Sequence, residues 1–132
     1  MSRRPLATLF ADLNRSHFGG RLPPYRVLRV RSMGRAKAIG DGWIVQTAGE
    51  CNPRRRTIRI LDVLPAEVER RSLLHEMAHA FVGRRGGHGR AWRAMMQRLA
   101  VEHGETWALA DAERYTSRRS PVRDIRILYG PP

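Results

Sequence analysis

Leu6, Leu9, Phe10 and Leu13 fall at i, i+3, i+4 and i+7, the spacing that lines one face of a helix. They predict a first helix, ended by Phe18-Gly19-Gly20 and followed by the rigid turn Leu22-Pro23-Pro24. Residues 25–30 read as a strand. A glycine-punctuated segment, 34–42, leads to a second strand at 43–47, and the alternation in 57–61 predicts a third. Arg54-Arg55-Arg56 falls on the turn or strand end between the last two.

The period then returns to that of a helix. Pro65 suits a first helical position, and Glu67 and Glu69 suit the positive N-terminal end of a helix running to about Gly83. A loop rich in glycine, 83–89, precedes a helix from about Arg90 that places Trp92, Met95, Met96 and Leu99 on its inner face. Gly104 ends it, and a short helix is expected over 107–113. Residues 122–129 read as an added strand or an ordered tail. The pattern is that of an α+β fold with a small three-stranded, mainly antiparallel sheet. At 132 residues the chain is one domain, large enough to bury a core without staples.

Composition narrows the class. No apolar run reaches transmembrane length, and Asp12, Asn14 and Arg15 interrupt the basic N-terminal stretch before it resembles a signal peptide. The single cysteine, Cys51, excludes an internal disulfide framework and fits a reducing cytoplasm. Twenty-five basic side chains against 12 acidic ones give a net charge of +13. Such a balance points to a polyanion, above all nucleic acid. All but Lys37 of these cations are arginines, which fork onto phosphate and stack on bases. Arg54, Arg55, Arg56, Arg84, Arg85 and Arg90 are the candidate nucleic-acid contacts, with Trp43 as a candidate stacking surface or, alternatively, a packed sheet residue.

The chemistry centres on His75-Glu76-Met77-Ala78-His79. Residues four apart share a helix face, so His75 and His79 can offer two imidazoles to one metal ion. Glu76 would stand beside them as a general base. A hydrolytic zinc site takes three protein ligands and keeps a position for water. His88, carried by the glycine loop, is the best third ligand; His17, His103, Glu102 and Glu105 are weaker alternatives. Cys51 as a fourth ligand would instead make a structural metal in a non-catalytic nucleic-acid-binding module, although an ordinary strand-end thiol is the simpler reading. Trp92 reads as core beneath the metal helix rather than a substrate platform. Tyr115 or one of Arg84, Arg85 and Arg90 is expected to assist the oxyanion.

Three stretches together resemble the SprT-like zinc metallopeptidases, the family that includes Spartan. They are Leu13-Asn14-Arg15-Ser16-His17-Phe18-Gly19-Gly20-Arg21-Leu22-Pro23, the H-E-x-x-H at 75–79, and Gly87-His88-Gly89-Arg90-Ala91-Trp92. The resemblance covers roughly residues 5–105 and implies a zincin-like core; the domain is expected over residues 1–116, with 117–132 a basic C-terminal segment packed on the same domain or a tail. It implies one zinc ion held by His75, His79 and His88, with Glu76 catalytic. It further implies a protein substrate bound or crosslinked to DNA, with single-stranded or distorted DNA as activator. The C-terminal zinc ribbon that many such proteins carry has no cysteine pairs here. A monomer is expected, cytoplasmic and nucleoid-associated if the source is bacterial or archaeal, and away from membranes. A zincin acting on a substrate unrelated to DNA is the remaining alternative.

Overall fold

The computed structural model describes residues 3–33, 37–40, 43–83, 88–114 and 124–129. Its elements run α1 (Leu6–His17), β1 (Arg26–Val30), β2 (Lys37–Gly40), β3 (Trp43–Asn52), β4 (Thr57–Leu61), α2 (Ala66–Val82), α3 (Arg90–His103), α4 (Trp107–Arg114) and β5 (Asp124–Tyr129). The class is α+β, as the sequence pattern predicts.

The centre of the fold is α2. Every residue from Ser72 to Ala80 is buried, so this helix has no solvent face along its second half. It packs on β3 and β4 on one side and on α1 and α3 on others. Leu73, Leu74 and Met77 of α2 join Ile58, Ile60 and Leu61 of β4 and Trp92, Met96 and Leu99 of α3 in one apolar cluster. A helix apolar on one stripe sits at a surface; in one enclosed all round, any polar residue must find a partner inside. That enclosure makes the histidines of α2 chemically informative.

All three expected strands form, and the sheet is wider than expected. β1 runs parallel to β4, from Arg26↔Thr57 to Val30↔Leu61, while β3 pairs antiparallel with β4 from Gly49↔Ile60 to Asn52↔Thr57. β2 and β5 also pair antiparallel with β3. β2 went unanticipated because Lys37-Ala38-Ile39-Gly40 lacks the β-branched alternation of a strand; pairing, not local preference, defines it. β3 also extends five residues past the expected 43–47, through Ala48, Gly49 and Glu50, where partner strands override weak propensity.

The β3–β4 turn carries the three arginines. Asn52 Oδ1 accepts a hydrogen bond from the Arg55 amide at 3.2 Å, and Arg56 takes a left-handed φ of 51°. The Arg56 carbonyl accepts from the Arg26 amide at 2.8 Å, fastening β1 to the hairpin.

A second fastening explains the Asn14-to-Leu22 stretch. The Asn14 side chain donates to the Leu22 carbonyl and accepts from the Leu22 amide, both at 3.1 Å. This seats Phe18 and Leu22 in the core, where Phe18 meets Phe81 at a ring separation of 5.9 Å. Phe81 lies two residues beyond His79, so the turn after α1 braces the end of α2. Among the described residues, no helix is long and apolar enough to cross a membrane.

Candidate metal centre

His75 and His79 stand one turn apart on the buried length of α2, with ring centroids 5.2 Å apart. Gly83 closes the helix at a φ of 87°, a backbone conformation that suits glycine, and its amide caps the His79 carbonyl at 2.9 Å. The chain then returns His88, also buried, against both rings: its centroid lies 5.5 Å from that of His75 and 4.7 Å from that of His79. One ring nitrogen of each histidine lies within 4.8 Å of the others.

Trp92 holds this set from behind. It follows His88 by four residues, lies in the first turn of α3, and is fully buried. Its indole stacks on His79 at 5.3 Å and 16°, and meets His75 and His88 at 4.8 and 4.7 Å. Trp92 is therefore core, and the wall on which the three imidazoles lie.

The donor set fits a metal ion on two further counts. His75 Nε2 and His88 Nε2 are 3.4 Å apart. Two nitrogens each bound at 2.0–2.1 Å to one tetrahedral ion would be about 3.3–3.4 Å apart. On the other side of the His75 ring, Nδ1 lies 2.5 Å from Asp111 Oδ2 of α4. Where Asp111 accepts there as a carboxylate, Nδ1 carries the hydrogen and Nε2 is the ring nitrogen turned toward His88.

Glu76 is fully buried and faces the sheet rather than solvent. β3 passes it at Gly49, and the approach is so close that a Cβ on Gly49 would lie 2.9 Å from Glu76 Oε2 and 3.1 Å from Ile60 Cδ1. Only a residue without a side chain lets the strand run there undisturbed.

The remaining candidates go elsewhere. His17 Nε2 bonds Glu105 Oε2 at 2.9 Å, its ring stacks on His103 at 4.7 Å, and neither belongs to the metal-competent cluster. Glu102 is exposed and pairs with Arg98 at 3.5 Å. Glu105 is buried as the hub of an ion cluster: Arg70 donates to both its oxygens and Trp107 Nε1 to one at 2.8 Å. Neither carboxylate joins the histidine cluster. Cys51 is half-buried on β3 beside Tyr25, whose hydroxyl is pushed up to about 12 by burial and by that thiol; Cys51 does not join the three histidines either.

Arg54, Arg55 and Arg56 are exposed together on the β3–β4 turn, and Arg90 is exposed at the first residue of α3. Arg84, Arg85 and Tyr115 lie outside the described residues, as does the side chain of Trp43.

The Glu105 cluster carries a pH prediction. Burial works against ionisation of Glu105, but hydrogen bonds from Arg70, Trp107 and His17, with the Arg70 charge, outweigh it and hold the carboxyl down from 4.5 to about 2. A carboxyl depressed on folding stabilises the fold above its unfolded value, and that contribution is lost as pH falls toward the folded one. Acid titration followed by circular dichroism should therefore show the wild type losing stability between about pH 4.5 and 2. Glu105→Gln should be less stable near neutrality and flatter across that window; parallel curves for the two proteins would contradict the assignment.

Two residues of the site were missed in the sequence. Asp111 lies 36 positions from the histidine it touches, and its one signal is that Trp107 and Asp111 share a face of the short fourth helix. Gly49 gave none, because the closeness of Glu76 depends on sheet register. No curated protein and no solved structure matches the chain. The SprT-like family model matches residues 6–112, which span α1, the three histidines, Glu76 and all but the last two residues of α4. By that match over most of its length, the chain belongs to the SprT-like family.

Proposed function

We propose that the chain is a zinc-dependent endopeptidase that cleaves proteins associated with, or crosslinked to, DNA. The carrying observation is the buried trio His75, His79 and His88 with Glu76 next in sequence on the same helix, in a chain of the SprT-like family. The three imidazoles would hold the ion, one per chain. When bound, zinc supplies Lewis acidity toward a peptide carbonyl and lowers the pKa of a water. Glu76 would take the proton of the attacking water and return it to the departing amine. Trp92 keeps the histidine rings in place throughout, and Gly49 keeps the Glu76 carboxylate where β3 passes it.

The DNA half of the reading rests on charge. A net charge of +13 concentrates phosphate backbones at the surface. Arg54, Arg55 and Arg56 on their exposed turn, Arg90, and the sequence candidates Arg84, Arg85 and Trp43 are the proposed contacts. A monomer working in the cytoplasm, on the nucleoid if the source is bacterial or archaeal, completes the proposal.

The test is cleavage of a DNA-binding protein by the zinc-loaded chain, with and without single-stranded DNA, over a range of salt. Cleavage should rise with DNA, and the gain should shrink as salt rises. Cleavage indifferent to DNA would remove the DNA half alone. No cleavage under any condition would remove the peptidase.

A further inference from the structure

We infer that Asp111, carried by α4, is a positioning residue for the metal centre: it fixes the tautomer and ring angle of His75. The inference rests on the metal reading above and extends it to a residue outside the histidine motif.

Burying a carboxylate is costly unless it is hydrogen-bonded or paired. Asp111 is 6% exposed, and its partner atom is His75 Nδ1 at 2.5 Å. His75 itself is fully buried, so its ring orientation depends on such contacts. With Nδ1 turned to Asp111, the other ring nitrogen, Nε2, faces the histidine cluster, 3.4 Å from His88 Nε2. A buried negative charge behind the ring also makes that nitrogen a better donor to a cation.

The start of α4 is built to bring Asp111 there. Trp107, one helical turn earlier on the same face, donates to Glu105 at 2.8 Å. Glu105 in turn is tied to Arg70 of α2 and His17 of α1. The Arg71 guanidinium lies 5.8 Å from the Trp107 ring centroid. Arg70, on α2, precedes His75 by five residues, so one ion cluster registers α4 against the metal helix just ahead of the ligand. The same residues that tie α4 to α2 set the place at which Asp111 meets His75.

The test is zinc affinity by chelator competition on the full chain, for wild type, Asp111→Asn and Asp111→Ala, with thermal stability of the metal-free proteins alongside. Removing a carboxylate behind a ligating histidine typically weakens binding by about 10–100-fold. Asp111→Ala should fall in that range. Asn can still accept from Nδ1–H but lacks the charge, so Asp111→Asn should lie between it and wild type. The visible spectrum of the cobalt-loaded protein should change in Asp111→Ala and change less in Asp111→Asn.

If both variants bind zinc as wild type does, the proposal is overturned. It is equally overturned if both lose stability together while affinity and cobalt spectrum stay fixed, because Asp111 would then only tie two helices. If Asp111→Ala fails to fold, Asp111→Asn decides alone by the same criteria. A wild type that takes up no zinc at all would overturn the metal reading itself, a different result from equal binding by all three proteins.

Discussion

Glu76→Gln should cut peptide hydrolysis by about 10²–10⁴-fold, the usual contribution of a positioned general base, while zinc content stays at one ion per chain. Glutamine keeps the size of the buried glutamate and removes its capacity to take a proton. Glu76 is not one of the three clustered histidines, so metal uptake should not change. Glu76 is fully buried in the wall between α2 and β3, so its replacement should be judged with a folding control. Circular dichroism and zinc analysis supply that control. Equal rates for the two proteins would remove Glu76 from the chemistry.

Gly49→Ala is the second large effect, at a residue outside the histidine motif. The new methyl would stand 2.9 Å from Glu76 Oε2, 3.2 Å from Glu76 Cγ and 3.1 Å from Ile60 Cδ1. Ile60 is fully buried and paired with Gly49 across the sheet, so it cannot retreat easily. Glu76 must give way, and overpacking of this kind costs about 1–3 kcal/mol. A catalytic group misplaced by about 1 Å can lose on the order of 10²-fold in rate. Gly49→Ala should therefore retain zinc, lose moderate stability in urea denaturation, and lose most of its activity. An alanine variant as active as wild type would show that the Glu76 position is not set by β3.

The contrast between those two residues shows what the sequence discloses. The first and third helices were legible because their apolar residues recur with helical period, and the second because Pro65 and Gly83 mark its ends, as Gly104 marks the end of the third. The histidine trio was legible because two members sit at i and i+4, and the third follows a glycine-rich reversal. Trp92 could be assigned to the core because it shares the inner face of its helix with Met95, Met96 and Leu99. What was hidden depends on contacts between distant segments. β2 is defined by pairing with β3, Gly49 by the register that sets it beside Glu76, and Asp111 by a helix docked 36 residues from its partner. Glu105 illustrates the converse. By residue type it is a plausible ligand, yet Arg70, His17 and Trp107 take up its carboxylate in a cluster of their own.

The Asn14-to-Leu22 stretch is instructive in another way. It is part of what makes the chain resemble its family, yet Asn14 spends its side chain on the backbone of Leu22, and Phe18 on Phe81. Its work is to brace the end of the metal helix. His17 within it turns toward Glu105 rather than the metal cluster, so a histidine in the resembling stretch need not be a ligand.

In the proposed function, a single ion held by His75, His79 and His88 makes this chain a peptidase. This is tested most directly by stripping the protein with a chelator and titrating zinc back while following cleavage of a DNA-bound protein. Cleavage should be absent without metal, should recover to saturation at one equivalent, and should not recover in His79→Ala. Cleavage that survives complete removal of metal, or that returns undiminished in His79→Ala, would contradict that role for the ion.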